Sequence, residues 1–390
     1  MAATVEPAAA VLVTNLDLRM VRAFGKNSVI LLILVFAAAV YGEEKVSFRT
    51  NIFSDNSGTT VESPAIEIVK DIYGKLEFFV RYSLDRVNIP PIGIGRVSAE
   101  PISAVTGASR PASSDEPADR YFTKKRNEVT AGLGVGILNA SYYHSDEVDY
   151  VGRMATVSSN FDFNKRNSNL AISYSYGWDT VKPIGQSDTY EKEAHTGNFT
   201  LTQALTPSLI GRIGADVSYV TGFQSNPYRI VSVFEGEQLP VERHPLERSR
   251  GGAFVKLNRY FKSRAALNLE YRYYQDDWEV KSHTASVFLY QYFSDKVLFR
   301  YRYRYYDQSE AYFYKDRYIG DEAFLTSDYK LESFNAHLFG FKLEYRLNDL
   351  LKDGFLRFLA ASTFEAKYER YFASNDFTAD IFQFGLVVNY

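Results

Sequence analysis

The feature that most limits this chain is an alternation of side-chain character at every second residue. In Lys296–Tyr306 (KVLFRYRYRYY), Val297, Phe299, Tyr301, Tyr303 and Tyr305 share one parity, and Arg300, Arg302 and Arg304 share the other. A helix would scatter these arginines around its axis, whereas a strand lines them on one face. The same period runs through Leu76–Asp85, with Phe79 as an exception, and through Leu170–Asp179, Arg212–Tyr219, Leu267–Tyr273 and Phe341–Leu347. A soluble β-sandwich also buries one face, but its strands centre on about 5–6 residues. The alternation here continues for ten residues in Leu76–Asp85, and Tyr and Trp crowd the ends of the apolar faces. A transmembrane antiparallel barrel needs such strands: ~9–11 residues per crossing, one face to lipid, one to the lumen, and aromatic girdles at the interfaces.

Composition fits that division. The chain is 46% hydrophobic and 16% aromatic, yet its mean hydropathy is −0.24. Strands that are half lipid-facing and half wet produce this mixture. Beyond residue 42 no apolar run is long enough for a spanning helix. The absence of cysteine excludes a disulfide framework and thiolate centres. A net charge of −3 offers no basic excess for nucleic acid.

The connections test the barrel independently, because short turns should alternate with longer outer loops. Short turns are expected at Ile72–Lys75, Ile137–Ala140, Asn164–Asn169, Thr206–Ser208, Lys262–Arg264, Ser294–Lys296 and Asn348–Gly354. Long outer loops are expected at Val87–Arg120, Pro183–Glu193, Phe223–Glu247 and Tyr314–Tyr329, with shorter ones at Asp55–Thr59, Val148–Gly152, Asp276–Lys281 and Ala373–Asp376. Seven turns interleaved with eight loops give 16 strands, or 14 if Val46–Asp55 and Val61–Ile72 do not both cross.

Both ends of the chain carry export signals. Ser28–Gly42 (SVILLILVFAAAVYG) is a short apolar run preceded by Arg22 and Lys26 and closed by small residues. It reads as a secretory signal peptide cleaved after Gly42, with Ala39 as the alternative site and Met20 as an alternative start. The expected organisation is therefore a signal peptide over 1–42 and one barrel over 43–390. At the other end Phe382, Phe384, Leu386, Val388 and Tyr390 alternate up to a terminal aromatic. That pattern resembles the terminal-strand signal read by the barrel assembly machinery, which becomes an expected partner alongside outer-membrane lipid.

Several stretches carry a family resemblance: TGAS at Thr106–Ser109, SDEVDY at Ser145–Tyr150, NPYR at Asn226–Arg229, ERSR at Glu247–Arg250, EYRYYQDDWEVKSH at Glu270–His283, RYRYYDQSEAYFY at Arg302–Tyr314 and SDY at Ser327–Tyr329. In these the chain resembles a bacterial outer-membrane family known as domain of unknown function 3570. The proline-rich segment around Ile89–Gly95 departs from it. The resemblance implies an outer-membrane barrel in Gram-negative bacteria and supplies no substrate. It links the chain only loosely, through gene neighbourhood, to a periplasmic flavin-linked or redox partner.

The charged parity supplies the candidate functional residues. Glu77, Arg81, Asp85, Arg212, Asp216, Glu270, Arg272, Arg300, Arg302, Arg304, Lys342, Glu344, Arg346, Glu365, Lys367 and Glu369 should face the lumen. The three arginines can act as a ladder that attracts anionic solutes. The preferred, blander reading is that they pair with acids on neighbouring strands, because charges withdrawn from water seek partners. Asn226, Pro227, Tyr228 and Arg229 lie in a loop long enough to fold inward as a constriction or lid, anchored by Ile230, Val231, Val233 and Phe234. Asp146, Glu147 and Asp149 could offer oxygen ligands to a cation, but they lack EF-hand spacing and read better as a solvated acidic tip. The five histidines form no ligand pattern. His144 and Ser145 are neighbours and so point to opposite faces of a strand. With no catalytic or cofactor fingerprint, a channel for small polar solutes leads. A docking barrel comes second and an outer-membrane enzyme last.

Overall fold

The computed structural model describes residues 44–90, 122–233, 240–348 and 359–389. The expected signal segment 1–42, most of the Val87–Arg120 loop, residues 349–354 of the expected Asn348–Gly354 turn, Phe234 and Tyr390 lie outside the described residues.

Each alternating run becomes one strand. The first eight are β1 (Glu44–Asp55), β2 (Thr60–Ile72), β3 (Leu76–Ile89), β4 (Phe122–Val135), β5 (Leu138–Asp146), β6 (Tyr150–Phe163), β7 (Ser168–Val181) and β8 (Tyr190–Thr206). The second eight are β9 (Leu209–Gly222), β10 (Glu247–Phe261), β11 (Ala265–Asp276), β12 (Lys281–Tyr292), β13 (Val297–Gln308), β14 (Phe334–Arg346), β15 (Thr363–Ala373) and β16 (Thr378–Asn389). Every strand pairs antiparallel with its sequence neighbours, and β1 pairs β16 from Lys45↔Asn389 to Asp55↔Ala379. That closure leaves no unpaired sheet edge, which lipid would not tolerate. β1 and β2 both cross, so the count is 16 and not 14.

Short turns gather at one end and long loops at the other, with one departure from the sequence expectation: β14 and β15 are joined by residues 347–362, sixteen residues in place of the short turn expected at Asn348–Gly354. The β6–β7 turn places Asn164, Lys165 and Arg166 at φ of 51°, 54° and 65°. Such left-handed conformers let a tight turn follow the twist of its strands.

The outward face is a belt of exposed apolar side chains, among them Phe48, Leu133, Ile172, Ile213, Leu289, Phe341, Phe382 and Phe384. Among the described residues, buried apolar clusters lie at the loop end. One joins Phe53, Val61, Val87, Ile89 and Ala379, a second joins Trp278, Val280, Ala311, Phe313 and Leu331, and a third joins Val231, Tyr318 and Leu325. Apolar packing among the described residues therefore gathers at the loop-side rim, while the charged side chains line the lumen wall below it.

Candidate functional site

Strand parity decides which side chains enter the lumen, and it sends the predicted charges there. On β13 and β15, Arg302 donates to Glu369 Oε1 at 3.0 Å, Arg300 lies 3.8 Å from the same oxygen, and Lys367 reaches the other oxygen at 3.3 Å. Lys342 bonds Glu344 at 2.7 Å and Glu365 at 3.0 Å. Arg272 grips both oxygens of Asp216, at 2.6 and 2.9 Å, and Lys256 reaches Glu270 at 3.1 Å. The lattice of paired charges is thus present. Arg212 bonds the Thr202 hydroxyl at 3.0 Å, and Arg346 is exposed at the turn-side end of β14.

Three of these pairs pass over an intervening strand, and each has a glycine beneath it. Arg302 and Glu369 both register with Gly340 on β14. A Cβ at Gly340 would sit 2.6 Å from Glu369 Cγ, inside van der Waals contact. Arg49 and Glu365, 3.5 Å apart, both register with Gly385 on β16. Arg272 crosses Gly252 to reach Asp216, and a Cβ there would lie 3.0 Å from Asp216 Oδ1. The rule extends to aromatics: Phe79, the exception in the β3 alternation, turns into the lumen because Gly132 opposite leaves room for its ring. Phe254 lies over Gly214 in the same way.

The lattice does not balance around the ladder. Glu369 alone serves Arg300, Arg302 and Lys367. Among the described residues Arg304 has no carboxylate within ion-pair range, and its guanidinium lies 6.0 Å from the Tyr371 ring centroid. The lumen-facing Phe288 ring has Arg302 at 5.2 Å, Arg300 at 5.8 Å and Lys256 at 6.0 Å from its centroid. This part of the wall carries a surplus of positive charge on an aromatic patch. Over β5–β8 the central wall instead bears hydroxyls and amides. Thr156 bonds Ser175 at 2.8 Å and Asn198 bonds Ser173 at 3.1 Å.

Two long loops fold together over the mouth. Residues 223–233 and 240–246 meet residues 309–333 through the bridges Val233↔Tyr318 and Arg243↔Leu325. At their junction Arg229 donates to Glu242 at 2.8 and 3.1 Å and to Asp328 at 2.9 Å. Thr326 donates to Glu242 at 2.5 Å, and His244 Nε2 lies 3.2 Å from it. Burial alone would raise the Glu242 carboxyl, but the His244 contact and charge, Arg229 and Thr326 together hold it down at about 2. The Asn226–Arg229 segment is a tight turn closed by Arg229 N to Asn226 O at 3.3 Å. From it the Tyr228 hydroxyl donates to Asp149 at 2.7 Å and accepts from the Ile184 amide at 2.8 Å. Farther along, the Tyr329 ring stacks on Phe377 in the β15–β16 loop at 5.4 Å. The contacts form a strap from the β5–β6 loop to the β15–β16 loop.

Beneath the strap is a cavity of about 360 Å³ lined by Lys124, Arg126, Lys192, Lys330, Tyr228 and His244, together with the acids already named. Burial pushes the Lys330 ammonium below its usual value; Asp328 opposes that shift and Arg229 adds to it. Lys124 holds Glu147 at 2.6 Å and Asp149 at 2.7 Å.

Two expectations change here. The acidic tip is not solvated: Glu147 and Asp149 are pulled inward by Lys124, while Asp146 stays exposed, so the three do not converge. Of the expected loop anchors, Val231 is buried against Tyr318 and Leu325 with Val233 packed on them, but Ile230 is exposed. Several site residues escaped the sequence reading, including Lys124, Arg126, Glu242, Asp328, Lys330 and Phe288. The alternation of Lys124, Arg126 and Glu128 along β4 could have revealed the first two.

A closed antiparallel barrel of sixteen strands with an apolar belt and a charged lumen is an outer-membrane β-barrel of porin-like architecture. The chain belongs to the family described as protein of unknown function (DUF3570), whose model matches residues 102–193 and 186–374. No curated protein matches it in sequence. Among solved structures it is similar in fold to a bacterial polysaccharide outer membrane secretin, at 7% identity and a TM-score of 0.50, covering 90% of this chain and 99% of that one. A loop-deletion mutant of OmpT, an outer membrane protein of Vibrio cholerae, matches at 9% identity and a TM-score of 0.46, over 89% and 98% of the two chains. OccD3 (OpdP) of Pseudomonas aeruginosa matches at 10% identity and a TM-score of 0.44, over 89% and 91%.

Proposed function

We propose that this protein is a channel in the outer membrane of a Gram-negative bacterium, passing small polar solutes with a preference for anions. The carrying observation is the surplus of cations on β13–β15: Arg300, Arg302 and Lys367 share the single carboxylate of Glu369, and Arg304 has none within ion-pair range among the described residues. A localised positive field in a solvated passage concentrates anions and lowers their entry barrier. Asp216, Arg272, Glu270 and Glu344 keep a quarter to a third of their side-chain surface exposed, which supports a wet lumen. On this reading the strap at the loop end is the gate, and the cavity beneath it, where Lys330 has no ion pair among the described residues, is the first stop for an entering anion.

Single-channel recording of the purified chain in planar bilayers tests the reading. Conductance with reversal potentials that favour chloride over potassium is expected. Silence at every voltage, including in a variant whose strap has been opened, would overturn it. That outcome would favour a docking barrel for a periplasmic redox or flavin-linked partner.

A further inference from the structure

Three lipid-facing histidines occur in one repeated setting. On β7–β8, β11–β12 and β13–β14, one strand carries Tyr-x-Tyr and the next places a histidine opposite the second tyrosine: Tyr176↔His195, Tyr273↔His283 and Tyr305↔His337. In each, the first tyrosine's hydroxyl lies within hydrogen-bond reach of histidine Nδ1, at 2.7 Å from Tyr174, 2.7 Å from Tyr271 and 3.0 Å from Tyr303. The second tyrosine's ring packs on the imidazole, with centroids 4.9, 5.2 and 5.2 Å apart. An aromatic girdle alone requires tyrosine and tryptophan; it does not require a histidine held at the same atom three times.

The height of these histidines is informative. His283 and His337 lie nine residues above the turn-side ends of their strands, Tyr292 and Arg346, and His195 lies eleven above Thr206. With a rise of ~3.4 Å per residue and a tilt of ~40°, nine residues span about 23 Å, close to the ~25 Å apolar band of such barrels. Below them the outward face is apolar, with Ile172 and Phe199, Leu269 and Leu289, and Phe339 and Phe341 all exposed. The next outward residues toward the loops include Glu193, Lys281 and Asp307. The imidazoles therefore stand at headgroup level. With Nδ1 engaged by the tyrosine, Nε2 is the ring nitrogen left to meet a ligand, and it carries the proton in the tautomer whose Nδ1 accepts from the hydroxyl. Among the described residues, no hydrogen bond to that nitrogen is present in any of the three.

We propose that the three Tyr–His–Tyr triplets form a girdle that binds phosphate-bearing lipid headgroups in the loop-side leaflet, each Nε2–H donating to a phosphate oxygen. The proposal rests on the barrel and its outward face, and it is independent of the channel reading.

The test is native mass spectrometry of the full chain, folded in micelles doped with diphosphorylated lipid A or with the same lipid stripped of its phosphates. The parent is expected to retain lipid A, and a His195→Phe, His283→Phe, His337→Phe variant to retain about tenfold less, since charged hydrogen-bond acceptors bind more strongly than neutral ones. The stripped lipid should be held only at the variant's level. Equal retention of lipid A by parent and variant would overturn the proposal, as would equal retention of the two lipids by the parent. Should the histidine variant fail to fold, Tyr174→Phe, Tyr271→Phe and Tyr303→Phe keep the rings and remove only the hydroxyls that orient the imidazoles. Partial loss is expected from them, and retention at the parent's level would also overturn the proposal.

Discussion

Two arcs of the lumen wall are built from the same alternation and solve opposite problems. Across β13–β15 the inward residues are long and charged, and they hold each other in ties that cross a whole strand. Across the middle of β5–β8 they are short and neutral, and hydroxyls and amides bond between adjacent strands, as in Thr156–Ser175 and Asn198–Ser173. Charge demands reach, partners and space, while hydroxyls are satisfied locally. A passage lined by both presents a lateral field, with one side attracting and the other passive.

The largest expected effect comes from erasing the attracting side. Replacing Arg300, Arg302 and Arg304 with Gln should remove the anion preference, moving the chloride-to-potassium permeability ratio about tenfold or more toward parity in bilayer recordings. Retained anion selectivity would place the filter elsewhere, with the cavity lysines as the next candidates. Opening the strap comes second. Arg229→Ala leaves Glu242 buried without the guanidinium that meets both its oxygens, a change that costs about 3–5 kcal/mol at such sites. Amide exchange in residues 223–233 and 240–246 should then accelerate by roughly a hundredfold or more while the strands stay protected. Acid should reproduce part of this. Glu242 is held near 2 against an ordinary 4.5, so its contribution is complete above about 4.5 and is lost as pH falls toward 2. Strap protection should decline across that window.

Smaller again is Gly340→Ala, whose methyl would collide with Glu369 and push it from Arg302. A loss of about 1–3 kcal/mol in urea unfolding is expected, together with raised anion selectivity as Arg302 is freed. Least of all, Thr156→Ala on the passive side should change stability by about 1 kcal/mol at most and leave selectivity untouched. A selectivity change there would erase the contrast between the two arcs.

Most of the fold was legible because period two is a local signal. It marked the strands, the inward and outward parity, and most of the alternation of turns and loops, while leaving open whether β1 and β2 both cross and placing a short turn where β14 and β15 are joined by residues 347–362. The pairing of the charges was legible only in kind. That Arg302 meets Glu369 and not an acid on β14 depends on the register that puts Gly340 between them, and register is set by the closed sheet. The strap was harder still. Arg229, Glu242 and Asp328 come from two loops with no periodicity, joined only when the barrel brings β10 and β14 to a common rim. Phe79 shows the middle case: it broke the pattern in its own strand, and the explanation lay in Gly132 on the next one.

The strand-crossing ties also constrain how such a sequence can drift. At Arg302–Gly340–Glu369, exchanging the two charges would keep the attraction, whereas filling the glycine would push them apart whatever their signs. The residue with no side chain is then the one least free to vary, and related chains should keep it even where the charges on either side have traded places.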